Sequence, residues 1–369
     1  MMRVFVIGAV IATHLASAGS LYGVPISGGV WMISHVSRNL FIFLTALVLM
    51  YNYGFRDKMD IKTFYLKRFG LVLIPYTVWT FIYQIKDGIK QTDFNAFASV
   101  FIHNFLTADA MYHLYFLVVS MQIYLLFPLL RYAYRKLKTS PWALLGVSFA
   151  LQVVVTAFMQ YVPNIPGLSW WLQHPDNFIM SYQFYIVAGV VIAEHMDTIP
   201  AAILRLRKKI YAAALSVAVI GLGVYIAQLA AGAEPSYAAA VFQPFVVVAS
   251  VAYGLALLAF SLQWVKNGMR LGKTIAAVAE DSFGIYLSHA LFLTYFSDYF
   301  QADANDWYVV VATMIIGLPA CYAVSFLFAE IARRTWLSTA LTGRKMAKVP
   351  WASLRNRWRR VAAIRRAPF

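Results

Sequence analysis

The sequence predicts an all-α polytopic membrane protein of about ten transmembrane helices, and three observations lead to this prediction. Of its 369 residues, 61% are hydrophobic and only 12% are charged, with a mean hydropathy of +0.66. A typical soluble chain carries about 25% charged residues, so this composition belongs to the membrane class. The other two observations are the apolar runs and the positions of the basic residues between them.

The apolar runs are long enough to cross a bilayer, which takes about 20 residues per helix. They lie at 4–22, 30–52, 69–85, 113–131, 142–161, 177–194, 210–231, 237–260, 274–296 and 307–329. Glycines and prolines punctuate the connections. In the connection 86–112, aromatic and aliphatic residues recur at helical spacing, which predicts a short helix in the membrane interface.

The basic residues orient these spans. All but three of the 31 lysines and arginines fall in the N-terminus, in alternate connections and in the C-terminal tail, whereas the other connections carry mainly acidic residues. Positive connections stay inside, so both termini are predicted to be cytoplasmic. The net charge of +16 follows from this topology, and nucleic-acid binding is not needed to explain it.

Two regions are predicted: a transmembrane domain, 1–332, and a basic cytoplasmic tail, 333–369. Apolar residues of the tail recur at helical spacing between arginines: Trp351, Leu354, Trp358 and Val361. Such a basic amphipathic helix suits the anionic inner leaflet, and recruitment of a soluble partner is the alternative. No cleavable signal peptide is expected, because the first apolar run contains Arg3 and His14 and lacks a small-residue cleavage site.

The first span places Arg3 and His14 eleven residues apart. At about 100° per residue this spacing is within roughly 20° of three full turns, so both side chains are expected on one face. A rise of about 1.5 Å per residue puts His14 roughly 16 Å deeper than Arg3, near the bilayer centre. A histidine there is costly unless it is paired or hydrated, which makes it a functional candidate. A packing hydrogen bond is the alternative.

Further polar residues lie within later spans. The second span contains Arg38, the fourth opens with His113, and the ninth contains Glu280, Asp281 and His289. Arg38 must face a polar interior, either in a structural ion pair or as a substrate contact. A direct pair with Asp281 requires the two helices to tilt towards each other. If the ninth span begins later, Asp281 lies at its cytoplasmic mouth.

Familiar catalytic motifs are absent from the sequence: it has no HExxH, Walker loop, GxGxxG or GxSxG. The single cysteine, Cys321, excludes a disulfide framework and a cysteine metal site, so no metal is expected. Histidine can take a proton from a hydroxyl near neutral pH, and arginine suits a phosphate-bearing donor. The residues therefore predict proton transfer near a bound anion.

Five segments, in order, resemble the acyltransferase 3 family of bacterial integral membrane proteins, which move acyl groups onto extracytoplasmic sugars. Arg3 and His14 fit its R-x10-H signature. The other segments are RNLFIFLTALVL (38–49), FYLKRFGLVLIPY (64–76), HLYFLVVSMQIYLLFPLL (113–130) and DSFGIYLSHALFL (281–293). Within this family, the chain most resembles the branch that includes the membrane protein of the poly-N-acetylglucosamine operon.

This resemblance implies transfer of an acyl group, acetyl or succinyl, from cytoplasmic acyl-CoA to a cell-surface or exported polysaccharide. His14 and Arg3 would be catalytic, and Lys67 and Arg68 would bind donor phosphates. A third group of residues would line the acceptor side: Arg38, His113, Asp281 and His289. The resemblance also implies a bacterial plasma membrane, no permanently bound cofactor, and contact with the polysaccharide synthesis machinery.

Two positions depart from the family pattern. The family has a second arginine three residues after Arg68, where this chain has Leu71, and the glycine usual in the second span is Ala46. Two other interpretations therefore stay open: a polysaccharide exporter or flippase, and an inactive scaffold if Leu71 abolishes donor binding. The pairing of Arg3 with His14 favours the enzyme, because a transporter gains little from placing both on one face.

Overall fold

The computed structural model describes residues 1–17, 25–56, 58–88, 93–136, 140–162, 174–268, 272–300 and 311–347, and all regular structure in these ranges is helical. Fifteen α-helices, α1 to α15, follow in chain order: Met2–Ser17, Pro25–Ser34, Val36–Leu49, Ile61–Gly70, Leu73–Gly88, Phe94–Thr107, Tyr115–Lys136, Pro141–Tyr161, Gln183–Glu194, Ile199–Ala230, Pro235–Ala238, Pro244–Lys266, Lys273–Phe300, Leu318–Ala332 and Ser338–Thr342. Short π-helical turns follow α3, at Met50–Gly54, and precede α14, at Thr313–Gly317.

Six helical segments in the described ranges are long and apolar enough to cross a membrane, and each overlaps a predicted span. They are Pro25–Gly54, Tyr115–Lys136, Pro141–Tyr161, Ile199–Ala230, Pro244–Lys266 and Thr313–Ala332. Shorter apolar helical segments at Met2–Ser17 and Ile179–Glu194 coincide with two more. The protein is therefore a multi-pass membrane protein. The total of ten and the cytoplasmic ends stay predictions, and the tail residues 351–361 lie outside the described residues.

Two helices extend into segments that the hydropathy pattern assigned to inner connections. Helix α10 begins at Ile199, well before the predicted apolar run at 210, and α4 occupies half of the predicted connection 53–68. Helices and apolar runs begin at different residues here, because basic side chains end an apolar run without ending a helix. Helix α4 begins where the Asp60 carboxylate accepts hydrogen bonds from the hydroxyl and amide of Thr63, which lower the pKa of Asp60.

Helix α1 lies at the centre of the bundle, where it packs against α2, α3, α13 and α14. Its apolar side chains Val6, Ile7, Val10, Ile11 and Leu15 are fully buried. The helix that carries the two first-span candidates is thus fixed by its neighbours on several sides, and its position determines where they point.

The helix predicted in the connection 86–112 is confirmed as α6. The Asp93 side chain caps it by accepting from the Asn95 and Ala96 amides at 3.2 and 3.3 Å. Phe97 and Phe101 pack edge-on against Phe81 of α5. Its location in the membrane interface stays a prediction.

Residues 333–347, the start of the predicted tail, fold back onto the bundle. Helix α15 packs against α5 and α13, and the Trp79 indole donates a hydrogen bond to the Leu341 carbonyl at 3.1 Å. The sequence pattern did not predict this return, because the segment is short and carries no long apolar run.

Candidate active site

A cavity of about 280 Å³ opens beside the middle of the bundle. This volume is near the lower end of ligand pockets, about 300–1,000 Å³. Its polar lining comes from α1, α2, α3, α7, α13, the break between α2 and α3, and the segments before α7 and α9: Thr13, His14, Ser17, Trp31, His35, Ser37, Arg38, Tyr112, Tyr115, Asp176 and Tyr286. The structure therefore brings His14 and Arg38 to one cavity, as a shared site requires.

Three histidines from three separate segments meet beside this cavity. The ring centroid of His289, on α13, lies 5.4 Å from that of His14 and 4.9 Å from that of His113. The ring of Tyr112 lies beside that of His14, with 4.4 Å between the centroids and a tilt of 36° between the planes. Among the described residues no group of three or more histidine, cysteine, aspartate or glutamate side chains is arranged to hold a metal ion.

A backbone hydrogen bond fixes the orientation of His289. Its Nδ1–H donates to the carbonyl of Tyr286, one turn earlier, and its Nε2 has no hydrogen-bond partner within the described ranges. In neutral imidazole a protonated Nδ1 leaves Nε2 as an acceptor. The Tyr286 hydroxyl donates to the His113 carbonyl, which ties the segment before α7 to α13. The ring of His289 is therefore held in place, and its Nε2 can accept a proton.

Arg38 forms an ion pair with Asp176, from the segment before α9. The guanidinium also lies over the rings of Tyr182 and Phe242, at 5.3 and 4.8 Å from their centroids. The pair predicted as possible with Asp281 does not form. Arg38 thus has the structural ion pair that was one alternative, and it still lines the cavity.

A second group of charges lies at the other end of the bundle. Arg68 of α4 lies over the rings of Tyr53 and Tyr124, at 5.2 and 5.9 Å from their centroids, and Lys67 is exposed. The charges of Arg68 and Arg344 both act on Arg3. The predicted catalytic and donor-binding arginines thus gather at the start of α1, apart from the cavity that holds His14.

Asp281 belongs to this second group and does not line the cavity. Its side chain is fully buried and lies 3.4 Å from Arg333 and 3.5 Å from Arg344, whereas Glu280 beside it is 57% exposed. The cytoplasmic-mouth alternative for Asp281 stays a prediction. Of the four residues predicted for the acceptor side, Arg38, His113 and His289 therefore lie near His14, and Asp281 does not.

The sequence analysis assigned no role to several residues of the cavity. His35, at the break between α2 and α3, gave the same signal as Arg38, since it is polar within an apolar run. Tyr112, Asp176 and Tyr286 gave no such signal, because two lie outside the apolar runs and a tyrosine is common in membrane helices.

The fold and site together define a multi-pass helical membrane protein with buried histidines in a central cavity and arginines at one end. A family model described as an acyltransferase domain matches residues 1–329, and the chain belongs to that family. It is a membrane acyltransferase that transfers groups other than aminoacyl groups, and the resemblance to the acyltransferase 3 family is confirmed. Among curated proteins and among solved structures, no match was found.

Proposed function

We propose that this membrane acyltransferase moves an acetyl or succinyl group from cytoplasmic acyl-CoA to a hydroxyl of a cell-surface or exported polysaccharide, in a bacterial plasma membrane. One observation carries the proposal: helix α1 bears Arg3 at its start and His14 in the cavity near its other end. Arg3 belongs there to the arginine group, which consists of Arg3, Arg68 and Arg344. A single rigid helix thereby links a site for donor phosphates to a site for proton transfer.

In this mechanism the donor phosphates bind Arg3, Lys67 and Arg68, because guanidinium and ammonium groups form charge-assisted hydrogen bonds with phosphate. His14 takes the proton of the acceptor hydroxyl as its oxygen attacks the thioester carbonyl. The carbon–sulfur bond then breaks, and the leaving thiolate of CoA takes up a proton. In a second route an acylated carrier first receives the group and delivers it outward.

His289 supports the proton transfer at His14. Its ring lies next to that of His14, and its free Nε2 is an acceptor held in a fixed orientation. General acid–base groups contribute about 10²–10⁴ in rate when they are positioned in this way. The cavity volume of about 280 Å³ favours a small acyl group over a long chain.

The test uses proteoliposomes given acetyl-CoA or succinyl-CoA that carries a radiolabelled acyl group, with acceptor glycan on the opposite side. We expect label to reach glycan with the wild type and to fall by about 10²–10⁴ with His14→Ala. The matched control is His103→Ala, because His103 lies on α6, away from the cavity, and is 67% exposed. This variant should transfer as the wild type does.

A polysaccharide exporter is the competing function. Export of unlabelled glycan that survives His14→Ala, with no label on glycan in the wild type, would overturn the proposed transfer and favour export. Loss of transfer in both histidine variants would show that the assay reports stability rather than chemistry.

A further inference from the structure

The return of the chain after α14 places one residue against the position where the family arginine is missing. Leu71 ends α4, and its carbonyl oxygen would lie only 2.7 Å from a Cβ atom at position 343. Gly343 also has a φ of +63°, a conformation that side chains disfavour. Only glycine allows this close approach, so the next residue, Arg344, stands beside the α4–α5 junction.

The backbone around Arg344 is held by three hydrogen bonds. Trp79 donates to the Leu341 carbonyl at 3.1 Å, and the hydroxyls of Ser338 and Thr339 donate to the Arg344 carbonyl at 2.8 and 3.2 Å. The backbone that carries the Arg344 side chain is therefore fixed and is not part of a free tail.

The carboxylates beside Arg344 have a second cationic partner. Arg344 lies 3.4 Å from Glu280 and 3.5 Å from Asp281, but Arg333 contacts the same two carboxylates at 3.1 and 3.4 Å. Arg333 therefore stays paired with these carboxylates when Arg344 binds another group. Its own side chain is 37% exposed, so a ligand can reach it.

Neighbouring cations lack acidic partners. Arg3 and Arg68 form no ion pair within the described part of the chain, and the buried Nε of Arg68 has no hydrogen-bond partner there. Like charges held together are unfavourable unless an anion joins them. Guanidinium groups bind phosphate through charge-assisted and often bidentate hydrogen bonds.

We propose that Arg344 takes the place of the family's second arginine and, with Arg3 and Arg68, binds a phosphate of the acyl donor. Arg344 lies beyond the family match, which ends at residue 329, so the contribution belongs to this chain's C-terminal segment. It removes the reason for regarding Leu71 as a sign of an inactive scaffold. The inference rests on the proposed acyl-CoA donor.

The test measures binding of CoA by calorimetry to protein in nanodiscs of neutral phosphatidylcholine. We expect Arg344→Gln, which keeps much of the side chain but removes its charge, to weaken CoA binding about tenfold. Adding Leu71→Arg to this variant should restore the affinity. The control is Arg334→Gln, since Arg334 is 60% exposed and pairs with Glu330 at 2.5 Å.

In the transfer assay Arg344→Gln should raise the KM for the donor about tenfold and leave kcat unchanged. If Arg344→Gln lowers the melting temperature, the single variant Leu71→Arg, which keeps Arg344, is used in its place. The added arginine should tighten CoA binding. Unchanged CoA affinity in each folded variant would overturn the inference.

Anionic lipid headgroups carry the same phosphate chemistry. The measurement is therefore repeated in nanodiscs containing phosphatidylglycerol, and an effect of Arg344→Gln confined to those discs would assign Arg344 to lipid and overturn the inference. If Arg344→Gln loses CoA affinity but the wild type transfers no acyl group, the role of Arg344 in CoA binding is supported and the proposed function is rejected. If the wild type transfers acyl groups and Arg344→Gln binds CoA as tightly as the wild type, only the role of Arg344 is rejected.

Discussion

His289 is the residue whose geometry most directly extends the chemistry of His14. Because its Nδ1–H is held by the Tyr286 carbonyl, only Nε2 can exchange a proton with a neighbouring group. We expect His289→Gln, which retains a polar side chain but no basic nitrogen, to lower kcat by about 10²-fold. The KM for the donor should not change, since the arginine group lies elsewhere.

The control for this prediction is His195→Gln. His195 makes the same kind of contact, from Nδ1 to the Val191 carbonyl at 3.0 Å, but it packs against Trp142 and not in the cavity. Steady-state kinetics of the two variants separate a chemical role from a general need for histidine. A His289→Gln enzyme with the wild-type kcat contradicts the proposed support of His14.

Among single residues, the sequence was sufficient to identify candidate site residues whose side chains are costly to bury in a membrane. Arg3, His14, Arg38 and His289 stand out because a buried charge or imidazole requires a reason. The partners of these residues could not be predicted. Asp176 reaches Arg38 from a segment 138 residues away in the sequence, and no local pattern encodes that contact.

At the scale of elements, the packing of α3 against α9 controls the position of Arg38. A Cβ atom added to Gly189 would lie 2.7 Å from the Phe43 carbonyl oxygen and 2.7 Å from the Leu47 nitrogen. These are backbone atoms, so no rotamer change relieves the overlap. The small residue that allows close approach here is Gly189 on α9, facing Ala46 of α3.

We therefore expect Gly189→Ala to destabilise the protein by about 1–3 kcal/mol, measured as the free energy of unfolding in detergent. Gly146→Ala is the matched control on α8, because nothing lies within 4 Å of its added methyl group. It should be neutral or slightly stabilising, as alanine favours helix by up to about 1 kcal/mol. Equal stability of the two variants would show that α3 and α9 can move apart freely.

The elements themselves were predicted with uneven success. Apolar runs located the hydrophobic helices because burial in lipid requires apolar side chains along about 20 residues. Helices α4, α10 and α15 extend or lie outside those runs, and their ends depend on caps and tertiary contacts. The Asp60 cap has a local signature, whereas the contact between Gly343 and Leu71 does not.

For the whole molecule, the donor and the arginine group must lie on the same side of the membrane. The distribution of basic residues predicts that Arg3, Arg68 and Arg344 are cytoplasmic, where the acyl-CoA pool is found. Arg344 stands beside the α4–α5 junction, close to Arg68, and both charges act on Arg3, so one orientation measurement tests the donor side for all of them.

That measurement is labelling with a membrane-impermeant maleimide in intact cells. The only native cysteine, Cys321, is fully buried, so single introduced cysteines report their own exposure. Lys58 and Asn95 are exposed and lie in a predicted inner and a predicted outer connection. We expect Asn95→Cys to react in intact cells and Lys58→Cys to react only after permeabilisation. The reverse pattern would put the arginine group outside, away from cytoplasmic acyl-CoA, and the donor would then have to be an extracytoplasmic phosphate compound.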